Sequence, residues 1–333
     1  MLAEREARIE RKPTESTEAY NYYLRGRFCW NKRRGDDLKK AVEYFNQAIE
    51  MDASYALAYA GLASTYLVLP DYAGLPSKKF MPKADAAARK ALELDPTLAE
   101  PHAVLAQIKH TYEWDWVGAE IGLKRAIELN PSDPTAHHWY SLLLLSLGRF
   151  DEAQAEIRRA QELDPLSLII SSVVGAVASG TREYDRAAEQ LKKTLELDPD
   201  FAWARYLLGG VYVKQGQFDK GIAELEKVRA IVGSAPYGLW GLGYAYARAG
   251  KKSEATEILS ELLQLSKQDY AVSYGTATVC WGLGEKNHAL EWLERAYSER
   301  DMDLERMKVD PVWDGLHSDP RFVALMKKIG LEQ

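Results

Sequence analysis

Cysteine is nearly absent from this 333-residue chain: two residues, Cys29 and Cys280, stand at opposite ends with no Cys-x-x-Cys pair between them. That excludes a disulfide framework or a thiolate metal site, and both cysteines read as small packed residues. No run of about 18 apolar residues occurs, which excludes a membrane-spanning helix. The start, Met1 to Lys12, is charged where a signal peptide would be apolar, so the expected location is cytoplasmic. The same start also suits a fragment of a longer protein. A basic face is missing too. The net charge is −6, and acids and bases are interspersed along the whole length, which argues against a nucleic-acid partner.

What is present is a phrase that returns. Lys90-Ala-Leu-Glu-Leu-Asp-Pro96 is followed by Arg125-Ala-Ile-Glu-Leu-Asn-Pro131, Arg159-Ala-Gln-Glu-Leu-Asp-Pro165 and Lys193-Thr-Leu-Glu-Leu-Asp-Pro199. The prolines are spaced by about 34 residues, a period that implies a solenoid in which each unit buries its apolar face against its neighbours. Each unit reads as two helices. In the fourth, one runs from about Pro134 to Leu147, breaks at Gly148-Arg149-Phe150, and is followed by another from Asp151 to Leu163. Gly permits the tight turn and Pro ends the second helix by lacking a donor.

These residues resemble the tetratricopeptide repeat, whose pattern is Trp, Leu-Gly, Tyr, then Ala, Phe, Ala and Pro. The sixth unit carries Leu208-Gly209, Tyr212, Gly216, Phe218 and Leu225; the seventh carries Leu242-Gly243, Tyr246, Gly250, Ala255 and Leu259. The resemblance implies an all-α, right-handed superhelix of eight repeats over residues 19–301. A charged lead-in helix or linker is expected at 1–18, an insertion at 67–83 and a C-terminal cap at 302–333. The insertion, with Pro70, Pro76 and Pro82, reads either as a loop folding over the groove entrance or as a disposable surface loop. In the cap, the stretch Val309–Pro320 leads into an amphipathic helix from Arg321 to Ile329, and Trp313, Phe322 and Leu325 are expected against repeat eight. The opening residues, from Arg11 through Leu24-Arg-Gly-Arg27, are similar to the entry of repeat regions in modular bacterial signalling proteins with kinase, cyclase or winged-helix output domains.

In that family the first helix of each unit lines a concave face. Carried over position by position, the stripe contains Tyr20, Tyr23, Arg27 and Trp30; Gln107 and His110; His138 with Trp139 beside it; Trp203 and Tyr206; Tyr237, Trp240 and Tyr244; and Tyr274 and Trp281. Clustered Trp and Tyr in a concavity are the material of binding hot spots, each worth about 2 kcal/mol or more on truncation. A one-residue shift in register would instead make the same rings packing residues. The expected function is therefore non-enzymatic binding of a protein or peptide segment along this groove. A receptor for a small or aromatic ligand under the 67–83 segment is the alternative, and self-assembly into a homo-oligomer a third reading. An attached output domain in a longer parent protein accompanies the signalling resemblance.

Catalytic, cofactor and metal sites are not expected. Gly238, Gly241 and Gly243 fall inside a helix with no preceding strand, so they do not form a dinucleotide loop. His137 and His138 point to different faces and have no carboxylate or cysteine at ligand spacing. Acids such as Asp151 and Glu152 open second helices, where a carboxylate suits the helix dipole.

Overall fold

The computed structural model describes residues 14–233 and 235–331, and these are all-α: 17 α-helices and no strand among them. Sixteen pair in chain order into eight antiparallel hairpins. They are α1 Thr17–Asn31 with α2 Gly35–Met51, α3 Ala56–Ala73 with α4 Ser77–Leu94, α5 Ala99–Ile108 with α6 Trp116–Leu129, and α7 Pro134–Ser146 with α8 Phe150–Leu163. There follow α9 Leu168–Gly180 with α10 Tyr184–Leu197, α11 Ala202–Lys214 with α12 Phe218–Val232, α13 Pro236–Arg248 with α14 Lys252–Ser266, and α15 Ser273–Gly282 with α16 Lys286–Glu299. Two short 3₁₀ turns, Met302–Arg306 and Pro311–Leu316, lead to α17 Pro320–Lys328.

Small residues set the spacing within each hairpin. A Cβ added to Gly26, Gly175 or Gly209 would come within 2.7, 2.7 and 2.6 Å of Phe45, Leu191 and Leu225, so the paired helices touch where the sequence leaves a side chain out. Ala41, Ala48, Ala119, Ala126, Ala153, Ala160, Ala187, Ala289 and Ala296 are all fully buried on the facing helices. An Asp closes three of the units by a second device. The carboxylates of Asp52, Asp95 and Asp198 each accept the backbone N–H two residues on, at 2.9 Å, turning the chain out of the helix.

Every hairpin reverses through one residue in the left-handed region. Five use glycine: Gly74, Gly148, Gly216, Gly250 and Gly284. The other three use Arg33 (φ 52°), Trp114 (φ 59°) and Arg182 (φ 64°), a conformation that disfavours a side chain and therefore marks places where one is needed. All three reach across the superhelix or into it, as described below.

Residues 67–83 are helical, where a loop was expected. They lengthen the facing ends of α3 and α4, with only Gly74 to Pro76 between them. This taller hairpin crosses the ring: the amide of Ala271 donates to the Gly74 carbonyl at 2.9 Å, Lys79 pairs with Asp269, and Tyr72 meets Trp203 at 5.9 Å between ring centres. On the other side, Trp114 stacks on Tyr297 at 5.2 Å, and the Trp116 indole donates to the Ile329 carbonyl at 2.7 Å. The superhelix thus closes on itself into a ring around a lumen. The lead-in expected at 1–18 falls largely outside the described residues; Ser16 caps α1 by accepting from the Ala19 amide at 3.1 Å.

Candidate functional site: the lumen of the ring

The C-terminal segment does two things where only capping was expected. Helix α17 packs on α16, with Phe322 and Leu325 buried beside Leu293 and Ala296. Before that, residues 301–316 run through the lumen as a strap. Glu305 pairs with His110 at 3.1 Å and also takes the Ser146 hydroxyl. Asp310 faces Lys214 at 3.6 Å, and Asp314 pairs with Arg182 at 2.8 Å. The Trp281 indole donates to the Val312 carbonyl at 2.7 Å, and the Trp313 indole donates to the Tyr274 hydroxyl at 2.8 Å. Leu304, Met307, Trp313 and Leu316 are fully buried. Releasing the strap would expose all four, at a cost of roughly 6 to 12 kcal/mol, comparable to the stability of a whole domain.

The expected groove residues therefore divide into four sets, with Arg27 apart. Tyr20 is 42% exposed on α1, away from the lumen, and Tyr23 packs on Phe45 and Tyr55 at 5.9 and 5.4 Å. Tyr274 and Trp281 hold the strap, while the hydroxyl of buried Tyr244 takes Arg248 at 2.9 Å. Trp203, Tyr206, Tyr237 and Trp240 come together as one aromatic wall. Trp203 stacks on Tyr206 at 5.3 Å, Tyr237 meets both edge-on at 5.8 and 5.7 Å, and the Trp240 indole donates to the Tyr206 hydroxyl at 2.8 Å. Trp30, His138 and Trp139 are buried nearby, at 4, 4 and 3% exposure. Arg27, also on the expected stripe, is engaged by Glu100 at 2.7 Å.

Two of the cavities beside the strap lie inside the ring. One, of about 170 Å³, lies between Tyr244, Tyr274 and Lys214 on one side and Arg306 and Asp310 on the other. The second, of about 200 Å³, is bounded by the aromatic wall, by His138 and Trp139, and by three residues the sequence reading did not single out: Arg33, Asp71 and Tyr72. Arg33 is 6% exposed and stacks on the Trp30 ring at 3.7 Å, yet its guanidinium makes no hydrogen bond or ion pair. Burial brings it down to about 10, against the opposing influence of Tyr72, Asp71 and Glu100. Asp71 has free surface although protein surrounds it, because that surface faces the lumen. Burial pushes its carboxyl up to about 7; Arg306 and Arg33 pull it down, and Asp301 and Glu305 push it further up. His138 is held neutral, its imidazole forced down to about 3 by burial and then by Arg33.

The available signal for Arg33 was positional: it stands in the left-handed slot that glycine fills in five other hairpins. Asp71 and Tyr72 lay in the 67–83 insertion, one reading of which placed it over the groove, but nothing local marked these two residues within it. The second cavity is dry-walled on one side and charged on the other, an arrangement that holds a small amphipathic molecule. Among the described residues no cluster of three metal-ligating side chains occurs, and no helix is long and apolar enough to cross a membrane.

Four family models, each described as "Tetratricopeptide repeat", match residues 19–55, 123–155, 178–237, and 211–270 with 241–303. No curated protein matches the chain. Among solved structures, the chain resembles the APC/C hetero-tetramer Cut9-Hcn1, with 15% identity, a TM-score of 0.60, and coverage of 90% of this chain and 53% of that one. It also resembles the human IFIT1 dimer with m7Gppp-AAAA, with 18% identity, a TM-score of 0.57 and coverage of 79 and 68%. Yeast Tom70 aligns with 17% identity, a TM-score of 0.52 and coverage of 95 and 68%. At such identities the likeness concerns the fold.

Proposed function

We propose that this all-α tetratricopeptide-repeat superhelix is a receptor module: an interaction protein whose lumen takes a small ligand rather than a protein segment. Tetratricopeptide-repeat proteins are in general protein-interaction scaffolds, and a binding role is what the fold carries. The observation that carries the finer reading is the strap. With Leu304, Met307, Trp313 and Leu316 fully buried in it, residues 301–316 occupy the course an extended partner would follow, and the spaces left beside it include two cavities of about 170 and 200 Å³. An apolar cavity of about 150 Å³ suffices for benzene. In this reading the module senses a metabolite for a partner or output domain in a signalling protein, and a protein partner docks on the outside of the ring.

A second reading keeps the partner segment in the groove, where it would replace the strap. It is favoured by the acid contacts of Glu305, Asp310 and Asp314 to His110, Lys214 and Arg182, which amount to a site for an acidic extended peptide. The cost of expelling the buried strap side chains weighs against it.

The test is tryptophan fluorescence of the purified protein, titrated in parallel with a small-molecule library of neutral, anionic, cationic and zwitterionic compounds and with a synthetic peptide of the 301–316 sequence. Saturable shifts with small molecules and none with the peptide support the receptor. Saturation by the peptide alone overturns it in favour of the second reading.

A further inference from the structure

The second cavity presents two opposite charges that ignore each other. Arg33 and Asp71 line the same cavity, and each lies close enough to perturb the other's proton affinity. They are nevertheless farther apart than the 4.0 Å of an ion pair; the Arg33 guanidinium engages only the Trp30 ring, and Asp71 makes no ion pair or side-chain hydrogen bond among the described residues, although Arg306 of the strap, on the same cavity, is its strongest counter-charge. Arg33 is buried, and a buried charge without an ion-pair partner is among the most unfavourable arrangements a fold can hold; Asp71 keeps surface open to the same space, so a molecule carrying both charges can satisfy the first and pair with the second.

The remaining walls narrow its chemistry. Neutral His138 adds a hydrogen-bonding group without charge, and Trp203, Tyr72 and Tyr237 form an apolar, aromatic side. Arg33 enters from a strained left-handed turn and is held flat on Trp30, which fixes its guanidinium in place before any ligand arrives. A planar guanidinium suits a carboxylate, which it can bind through two parallel hydrogen bonds.

We infer that the second cavity binds a small zwitterion with an apolar side chain, of the class of the free α-amino acids. Arg33 takes the carboxylate, Asp71 takes the ammonium group, and the rings of Trp203, Tyr72 and Tyr237 surround the side chain. The inference rests on the receptor reading above and adds the ligand class and the two anchors.

The experiment is calorimetric and fluorescence titration of the full chain with L-phenylalanine and L-leucine, beside 3-phenylpropionate, which lacks the amine, and phenethylamine, which lacks the carboxylate. Arg33→Lys and Asp71→Asn variants of wild-type helicity are titrated alongside. The expected result is saturable binding of at least one amino acid, weakened about tenfold or more by loss of either charged group from the ligand, because Arg33 or Asp71 then loses the group it is matched to. Asp71→Asn should erase the preference for the amino acid over 3-phenylpropionate, and Arg33→Lys the preference over phenethylamine. Equal affinity for the amino acid and either truncated analogue, or unchanged discrimination in both variants, overturns the inference. Binding of neutral compounds with no response to amino acids overturns it while leaving the receptor reading intact. No response to any small molecule overturns both.

Discussion

The carbonyl of Gly74 accepts a hydrogen bond from the amide of Ala271 at 2.9 Å, joining the turn of the second hairpin to the segment that opens the eighth. A Cβ built on Gly74 would lie 2.3 Å from the Pro236 ring, so the same residue also brings the seventh hairpin into contact. These contacts, 162 and 197 residues apart in the chain, convert an open superhelix into a ring with an inside.

Gly74→Ala should therefore cost more than its backbone alone explains. Gly148 has a similar conformation (φ 78° against 63°), but a Cβ there meets nothing nearer than 3.9 Å. Both alanine variants carry the left-handed penalty of about 1 kcal/mol. Only the Gly74 variant adds a clash, and urea unfolding should find it the less stable by a further ~1 kcal/mol or more. Equal losses would mean that the ring closure contributes nothing.

Trp313→Ala should destabilise the whole chain by about 3 to 5 kcal/mol, the usual loss for a large buried aromatic side chain. The indole is fully buried against Phe322 and Tyr274 and donates to the Tyr274 hydroxyl at 2.8 Å. The check is chemical denaturation followed by helicity, where the midpoint should move and a single transition should remain.

Ala160→Leu and Ala187→Leu should each cost about 1 to 3 kcal/mol through overpacking, since both alanines are fully buried between paired helices. Thermal melts monitored at 222 nm report the loss. Neither variant touches the lumen, so ligand affinity should stay unchanged in the folded fraction.

Stability should fall as the pH rises through neutrality. Asp71 titrates at about 7 and Asp301 at about 6 in the fold, both raised first by burial, against an ordinary carboxylate value of about 4. The folded protein thus binds these protons more tightly than the unfolded chain, and the associated stability is complete below pH ~4 and lost as the pH passes 6 to 7. Arg306 and Arg33 moderate the Asp71 shift, while Glu305 reinforces it. Melts of wild type and Asp71→Asn should coincide near pH 5 and diverge at pH 8, where the variant should be the more stable.

How much of this was legible depended on range. The period, the small residues at helix contacts, and the hairpin of Pro134–Ser146 with Phe150–Leu163 follow from local rules: a proline that ends a helix, a glycine that turns, an alanine that lets helices approach. Trp203 with Tyr206 and Tyr237 with Trp240 were placed on one concave face only by resemblance to the repeat family; helical spacing pairs residues within α11 and within α13, and the stacking of hairpins brings the two pairs together. The prolines of the second hairpin suggested a loop, but Pro82 sits inside α4 and Pro70 near the end of α3, where packing across the ring overrides their local cost. The strap was invisible for the same reason. Its partners His110, Lys214 and Arg182 lie roughly 90 to 200 residues away, and no periodicity links them. Arg33 could have been suspected only by noticing an arginine where other hairpins place glycine.

The central claim is that the strap is a permanent wall of the lumen, leaving room for a small molecule and none for a protein segment. Native-state amide hydrogen exchange of residues 302–316 tests it most directly. Strap amides such as those of Met307 and Trp313, which donate to the Leu304 and Asp310 carbonyls at 3.2 and 3.0 Å, should exchange only with the global unfolding of the helices around them. Exchange of the strap at far lower free energy, with α11 and α13 still protected, would contradict it and show a groove that opens to partners.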